Sequence, residues 1–104
     1  MQQEYIVKAD VTRSILLKNG FKPDKDKFSS SSYLYRRFIK VKFTIDLKER
    51  IMHWTIQDST GVNSYFAFSS QKYHENSRIA LKVINEFNLL IKKYEEAEII
   101  EEEL

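Results

Sequence analysis

The chain has 104 residues, which is enough for one domain with its own core. Hydrophobic residues make up 42% of it and aromatic residues 13%, which excludes a disordered body. The sequence has no cysteine, and this excludes disulfides, thiolate catalysis and cysteine-ligated zinc. The N-terminus lacks the pattern of a signal peptide, and no apolar run approaches the length of a membrane span. We therefore expect a cytoplasmic protein.

The net charge of +2 hides an uneven distribution of charge along the chain. Six of the 15 acidic residues lie in the last ten positions, which contain no lysine or arginine. The sequence therefore predicts a single domain over residues 1–94 and an acidic tail over residues 95–104. A basic body attracts polyanions, and an acidic tail can shield it. The alternative is an ordinary solvated chain end.

The N-terminal part predicts a short helix followed by a polar loop. The helix runs from Thr12 to Asn19, with Asp10 or Thr12 as its N-cap and Gly20 as its stop. Phe21 is expected to fold back over the helix end. Residues 22–32 contain a proline, a run of alternating charges and four consecutive serines, and this composition is typical of a loop.

The centre of the chain alternates apolar and polar residues, which predicts a three-stranded antiparallel β-meander. The first strand, from Tyr33 onward, turns one face inward, and that face comprises Ile39, Val41, Phe43, Ile45 and Leu47. The turn 47–50 leads to a second strand with Met52, Trp54 and Ile56 inward. The third strand is predicted over residues 63–68.

A long helix is predicted from Asn76 to Tyr94, because its apolar residues form one wide stripe that can cover a sheet. Leu81 and Leu89 lie outside this stripe. The segments 5–7 and 98–101 each have the composition of a short strand and can add to a sheet edge. The predicted fold is α+β: a short N-terminal helix, a three-stranded meander and a long C-terminal helix packed on one face of the sheet.

The sequence contains none of the groupings on which most enzymes depend. His53 and His74 have no partners at metal-ligand spacing, and the two glycines belong to no phosphate-binding loop. We therefore predict no catalytic residues, no metal and no cofactor. One weak pattern, Asp24 followed by Asp46 and Lys48, resembles the acid–acid–lysine arrangement of a magnesium-dependent nuclease. Such a loose match is frequent in charged sequences.

The outward side of the predicted sheet combines cations with aromatic rings. Its candidate binding residues are Arg36, Phe38, Lys40, Lys42, His53 and Tyr65, accompanied by Thr55 and Gln57. Bases can stack on exposed rings while phosphates pair with lysine and arginine, so this face suits single-stranded nucleic acid. The alternative is that the rings pack against a second subunit and the cations are merely solvated.

These observations favour a small non-catalytic protein that acts through protein–protein contacts, as an inhibitor, adaptor or regulator and as a homodimer. The heavy use of Ile, Lys, Asn and Tyr indicates an AT-rich genome, and a phage or mobile-element factor directed against its host is one form of this hypothesis. The alternative function is nucleic-acid binding through the basic, aromatic sheet face.

Overall fold

The structure is a computed structural model that describes residues 3–35, 39–58 and 78–102. The described residues form five strands and two helices. Their bounds are β1 (Glu4–Ile6), α1 (Arg13–Lys18), β2 (Lys22–Asp24), β3 (Lys27–Leu34), β4 (Ile39–Asp46), β5 (Ile51–Asp58) and α2 (Arg78–Glu96). The predicted α+β class is confirmed.

The strands form one antiparallel sheet in the order β1-β5-β4-β3-β2. β3, β4 and β5 have eight residues each and follow one another as neighbours, whereas β1 and β2 are three-residue strands at the two edges. The predicted three-stranded meander therefore understates the sheet. The third strand of that prediction, over residues 63–68, lies outside the described residues.

The prediction of a polar loop over residues 22–32 is wrong, because most of this segment belongs to β2 and β3. Phe28 and Leu34 are buried while Ser31 is exposed, so β3 does alternate between two environments. The inward-facing Ser30 hydrogen-bonds with the hydroxyl of Tyr94, a residue of α2 whose pKa is raised by burial. A buried hydroxyl needs such a partner. The serine run is therefore polar and still fits a strand.

α2 covers one face of the sheet with the apolar stripe predicted from the sequence. Val83, Phe87, Ile91 and Tyr94 are buried. The Phe87 ring lies 5.7 Å from that of Phe43 on β4 and 4.9 Å from that of Trp54 on β5, measured between centroids. These contacts join the helix to the middle of the sheet. Within the described parts of the chain, no helix is long and apolar enough to cross a membrane.

The predicted alternation along the central strands is confirmed. The buried residues of β4 and β5 are Ile39, Val41, Phe43, Ile45, Met52 and Ile56. The residues between them face away from α2, except Trp54, which is half-buried and packs against Phe87 of the helix. In the pairing of β4 with β5, Val41 lies opposite Ile56, and Lys42 lies opposite Thr55. The inward faces of both strands therefore coincide and form the floor of the core.

The caps of α1 follow the predicted pattern. The Thr12 side-chain oxygen accepts a hydrogen bond from the backbone N–H of Ile15 at 3.4 Å. Gly20 has a left-handed φ of 89°, and the N–H of Phe21 donates to the Leu16 carbonyl at 3.0 Å. Leu16 and Phe21 are both buried, so Phe21 folds back against the helix end as expected.

The C-terminal helix ends at Glu96, two residues beyond the predicted end, and the chain then returns to the core. Ile99 and Ile100, which belong to the predicted acidic tail, are fully buried. Ile100 forms a bridge with Val7, and the N–H of Lys8 donates to the Ile99 carbonyl at 3.0 Å. The two ends of the chain therefore pair at the β1 edge, where strand-like segments were predicted.

The turn between β4 and β5 fastens the N-terminal segment to the sheet. The Arg50 guanidinium donates to the carbonyl of Val11 at 2.6 Å and to that of Lys8 at 3.4 Å. Arg50 itself has a left-handed φ of 59°, and its N–H donates to the Asp46 carbonyl at 2.8 Å. The stretch before α1 is thus held by a charged side chain from a distant turn.

Candidate functional site

The side of the sheet that faces away from α2, here called the outer sheet face, carries the candidate binding residues. It is assembled from the side chains that alternate with the core residues of the five strands. Its members are Glu4, Ile6, Lys22, Asp24, Lys27, Ser29, Ser31, Tyr33, Lys40, Lys42, Thr44, Asp46, Ile51, His53, Thr55 and Gln57. Four lysines and three carboxylates lie among them, so the described face is close to neutral.

Three of the six predicted binding residues lie together on this face. Lys40 and Lys42 are on β4, and His53 follows on the neighbouring β5. Thr44 stands opposite His53 in the register of the two strands. The other three predicted residues, Arg36, Phe38 and Tyr65, lie outside the described residues. A binding role for any of the six stays a prediction.

Two of the basic side chains on the outer sheet face, those of Lys42 and His53, have acidic neighbours. The Lys42 ammonium is 2.9 Å from the Asp24 carboxylate, and His53 Nε2 is 3.8 Å from the Glu4 carboxylate. The hydrogen bond from Lys42 is the main cause that lowers the pKa of Asp24, and its charge adds to this effect. Both pairs are exposed to solvent, so each stabilises the fold only slightly.

The two aspartates of the nuclease-like pattern have separate local roles. Asp24 pairs with Lys42, as described above. Asp46 Oδ1 accepts the backbone N–H groups of Lys48 and Glu49 at 2.9 and 3.0 Å. The bond from Glu49 is the main cause that lowers the pKa of Asp46. β3 lies between the strands that carry the two acids. In the described part of the chain, no three acidic or histidine side chains are grouped so as to hold a metal ion.

Sequence reasoning did not place Tyr33 in the candidate site. Its side chain is 49% exposed, and it stands opposite Lys40 in the register of β3 and β4. A large ring thus lies beside a lysine on the outer sheet face. Once residues 27–34 are taken as a strand, alternation puts Ser31 and Tyr33 on one face and Leu34 on the other. That period of two is the signal in the sequence that could have found Tyr33.

Comparison with known proteins gives information on the fold. The sequence matches no family model and no curated protein. The structure is similar to the crystal structure of a DUF1831 family protein from Lactobacillus plantarum, with a TM-score of 0.70 over 95% of this chain and 87% of that chain. The two sequences are 17% identical. At this identity the similarity supports the α+β fold and assigns no activity or ligand.

Proposed function

We propose that this protein is a small non-catalytic binding protein that acts through protein–protein contacts on its outer sheet face and forms a homodimer. The observation that carries the proposal is that the two faces of the sheet differ: one is packed against α2, and the described residues of the other include exposed side chains. α2 packs on one face, and Tyr33 is 49% exposed on the other, beside Lys40. Tyrosine is enriched in protein interfaces, where its ring contributes area at a low entropic cost.

The charges of the face favour a protein partner over nucleic acid. Affinity for nucleic acid depends on cations that neutralise phosphates. A phosphate that approached Lys42 would also meet Asp24, which is within 2.9 Å of the lysine, and Glu4 stands beside His53. A face with both signs of charge suits a protein surface of complementary pattern. An inhibitor, adaptor or regulator of the reducing cytoplasm is consistent with this chemistry and with a cysteine-free chain.

The extent of the face sets the expected strength of self-association. With strands about 4.8 Å apart and about 3.4 Å per residue, its flat footprint is roughly 500 Å². A standard protein interface buries about 800 Å² per partner. A homodimer through this face is therefore expected to be reversible and to depend on protein concentration.

Sedimentation velocity across a wide concentration range tests the proposal. The wild-type protein is expected to shift from the 12.4 kDa chain to a species of twice that mass. Tyr33→Asp should keep the protein monomeric, whereas the matched variant Leu89→Asp should not. Leu89 is 68% exposed on the solvent side of α2 and controls for the added charge. A monomer at every concentration, or dissociation by Leu89→Asp alone, contradicts the proposal.

A second experiment tests the alternative function, nucleic-acid binding. A labelled single-stranded oligonucleotide is titrated with the protein at two salt concentrations and followed by fluorescence anisotropy. Binding that weakens with salt and is lost in the double variant Lys40→Glu, Lys42→Glu would transfer the function to nucleic acid. Because Ile99 and Ile100 are buried, the acidic end is best neutralised in place, by glutamine at positions 101–103, instead of being removed.

A further inference from the structure

The edge of β3 beyond β2 is the second feature of the sheet that suits a partner. β2 pairs only with the first part of β3, with Lys22 opposite Ser29 and Asp24 opposite Lys27. β3 continues beyond the end of β2, and on the side away from β4 no described strand pairs with Ser30, Ser31 or Ser32. We propose that this edge binds an extended, acidic peptide of a partner protein by strand addition, with the carboxyl terminus of the peptide beside Lys22.

The backbone of Ser31 is oriented for this pairing, and the orientation follows from Pro23. Proline has no N–H, so the Pro23–Phe28 pair cannot be a hydrogen-bonded pair of the β2–β3 ladder. The hydrogen-bonded pairs are then the two flanking ones, Lys22–Ser29 and Asp24–Lys27. Ser29 therefore directs its backbone N–H and C=O toward β2. Orientation alternates along a strand, so Ser31 directs its N–H and C=O to the same side, beyond the end of β2.

The chain itself cannot continue β2 along this edge. Gly20 ends α1 in the left-handed region, and Phe21 is turned into the core, where it is buried. The departure of the chain leaves a cavity of about 250 Å³ beside β3. It is lined by Gly20, Lys22, Ser29, Ser30 and Ser31. Space for an added strand therefore exists where the backbone of Ser31 is directed.

Among the residues that the structure describes, this edge lacks the features that protect sheet edges from added strands. Natural edges carry proline, charged side chains or a covering segment. β2 contains Pro23, and beside β1 the bridge between Val7 and Ile100 covers the edge. Ser30, Ser31 and Ser32 present small, uncharged side chains instead. Strand addition to such an edge is a common mode of peptide recognition.

The position of Lys22 selects the direction and the charge of the peptide. A strand antiparallel to β3 runs in the same direction as β2 and ends beside Lys22, so its carboxyl terminus meets the ammonium group. In the parallel direction, a terminal amine would meet the same cation. The cavity lining contains one lysine and no acidic side chain, which favours acidic residues near the carboxyl end of the peptide.

The test is a fluorescence anisotropy titration of the full chain with a labelled hexapeptide that ends in Glu-Glu-Glu-Leu. The peptide with a free carboxylate should bind, and its C-terminal amide should bind roughly tenfold more weakly. Lys22→Glu should weaken binding by at least the same order, whereas the control Lys25→Glu should change it little. Lys25 is exposed in the β2–β3 loop, outside the cavity. Absence of binding by the free-carboxylate peptide, or equal loss in both variants, overturns the proposal.

One further readout tests the backbone pairing, and another separates this proposal from the dimer. Hydrogen exchange at the Ser31 amide should slow when the peptide is added, and unchanged exchange would contradict strand addition. The proposal rests on the proposed function only in that the ligand is a protein segment. Sedimentation and the peptide titration, both on the wild-type protein, separate the two: peptide binding without a dimer removes the outer-face proposal, and a dimer without peptide binding removes this one.

Discussion

Gly20 and Glu98 occupy the same position at the ends of the two helices. Both have a left-handed φ, of 89° and 62°, and the residue after each donates its N–H to a carbonyl five residues earlier. Phe21 and Ile99 are the residues that follow, and both are buried. This is the Schellman arrangement, in which a left-handed residue turns the chain so that the next side chain packs against the helix end. α1 makes the turn with glycine, and α2 makes it with glutamate.

Exchange of these two residue types should move stability in opposite directions. Glu98→Gly should raise the free energy of unfolding by about 0.5–1 kcal/mol, because glycine adopts a left-handed φ without strain but gives a more flexible unfolded chain. Gly20→Ala should lower it by about the same amount, again through the backbone. A Cβ atom added at Gly20 meets no atom within 4 Å, so no steric clash contributes.

Urea denaturation of the two variants measures these differences. Glu101→Gly is the control for glycine at an exposed position without a positive φ, and it should leave stability nearly unchanged or slightly lower. A Glu98→Gly variant less stable than the wild type would show that the glutamate makes a contact that outweighs its backbone strain.

Phe87→Ala should be the most damaging substitution on α2. The ring is fully buried and touches the rings of Phe43 and Trp54, so its removal leaves a cavity between the helix and the sheet. The expected loss is about 3–5 kcal/mol of unfolding free energy. Leu89→Ala, on the exposed side of the same helix, should change it by less than about 0.5 kcal/mol. Comparable losses in the two variants would mean that the helix faces are misassigned.

Arg50→Met should detach the segment before α1. The substitution keeps an unbranched apolar stem but removes the bonds to the carbonyls of Val11 and Lys8. Hydrogen bonds from a charged group to the backbone contribute about 1.5–3 kcal/mol, and a loss of this size is expected in chemical denaturation. Faster amide exchange at Val11 and Lys8 should accompany it.

Arg13→Met is the matched control for this substitution. The Arg13 guanidinium lies 5.9 Å from the centroid of the Phe28 ring at an exposed position, where a cation–π contact contributes about 0.5–1 kcal/mol. Equal effects of the two arginine variants would indicate that the carbonyl bonds of Arg50 contribute no more than a surface contact.

Stability should decrease in acid because of Asp24 and Asp46. Both carboxyl groups have a folded-state pKa below the ordinary value of an aspartate, because of Lys42 in the first case and of the N–H of Glu49 in the second. A depressed folded pKa means that the stabilisation is present above the unfolded pKa and is lost as pH falls through the folded pKa. Thermal melting should therefore shift to lower temperature below about pH 4.

The double variant Asp24→Asn, Asp46→Asn isolates this effect. Asparagine can still accept the backbone hydrogen bonds of the turn but does not titrate in this range. Its melting temperature should fall less steeply with acid than that of the wild type. Parallel curves for the two proteins would assign the acid sensitivity to other carboxyl groups.

The elements with strong local signals were predictable from the sequence. The apolar stripe of α2 was recognised from its helical period, and the alternation along β4 and β5 from its period of two. The end of α1 was recognised because Gly20 has the residue type that a left-handed position favours. The second helix end was placed at Tyr94, two residues short, because the glutamates that follow carry the wrong charge for the negative end of the helix dipole.

Segments whose residues have the wrong polarity for their environment were not predictable. β3 was mistaken for a loop because its serines are polar, and their place in a strand depends on partners elsewhere, such as Ser30 with Tyr94. The candidate site was likewise predictable only in part. Alternation placed Lys40, Lys42 and His53 on one face, whereas Tyr33 was found only through its strand partner Lys40.

The sequence by itself determined the class of the protein, the apolar faces of its central strands and long helix, and the side of the sheet on which Lys40 and Lys42 lie. Those features depend on the periodic repeat of apolar and polar residues over a few neighbouring positions, which is a local property of the chain. Only the tertiary structure decided that the sheet has five strands, that Ile99 and Ile100 are core residues, and that Asp24 lies beside Lys42. These depend on contacts between residues far apart in the chain, and no local pattern records which distant segments meet.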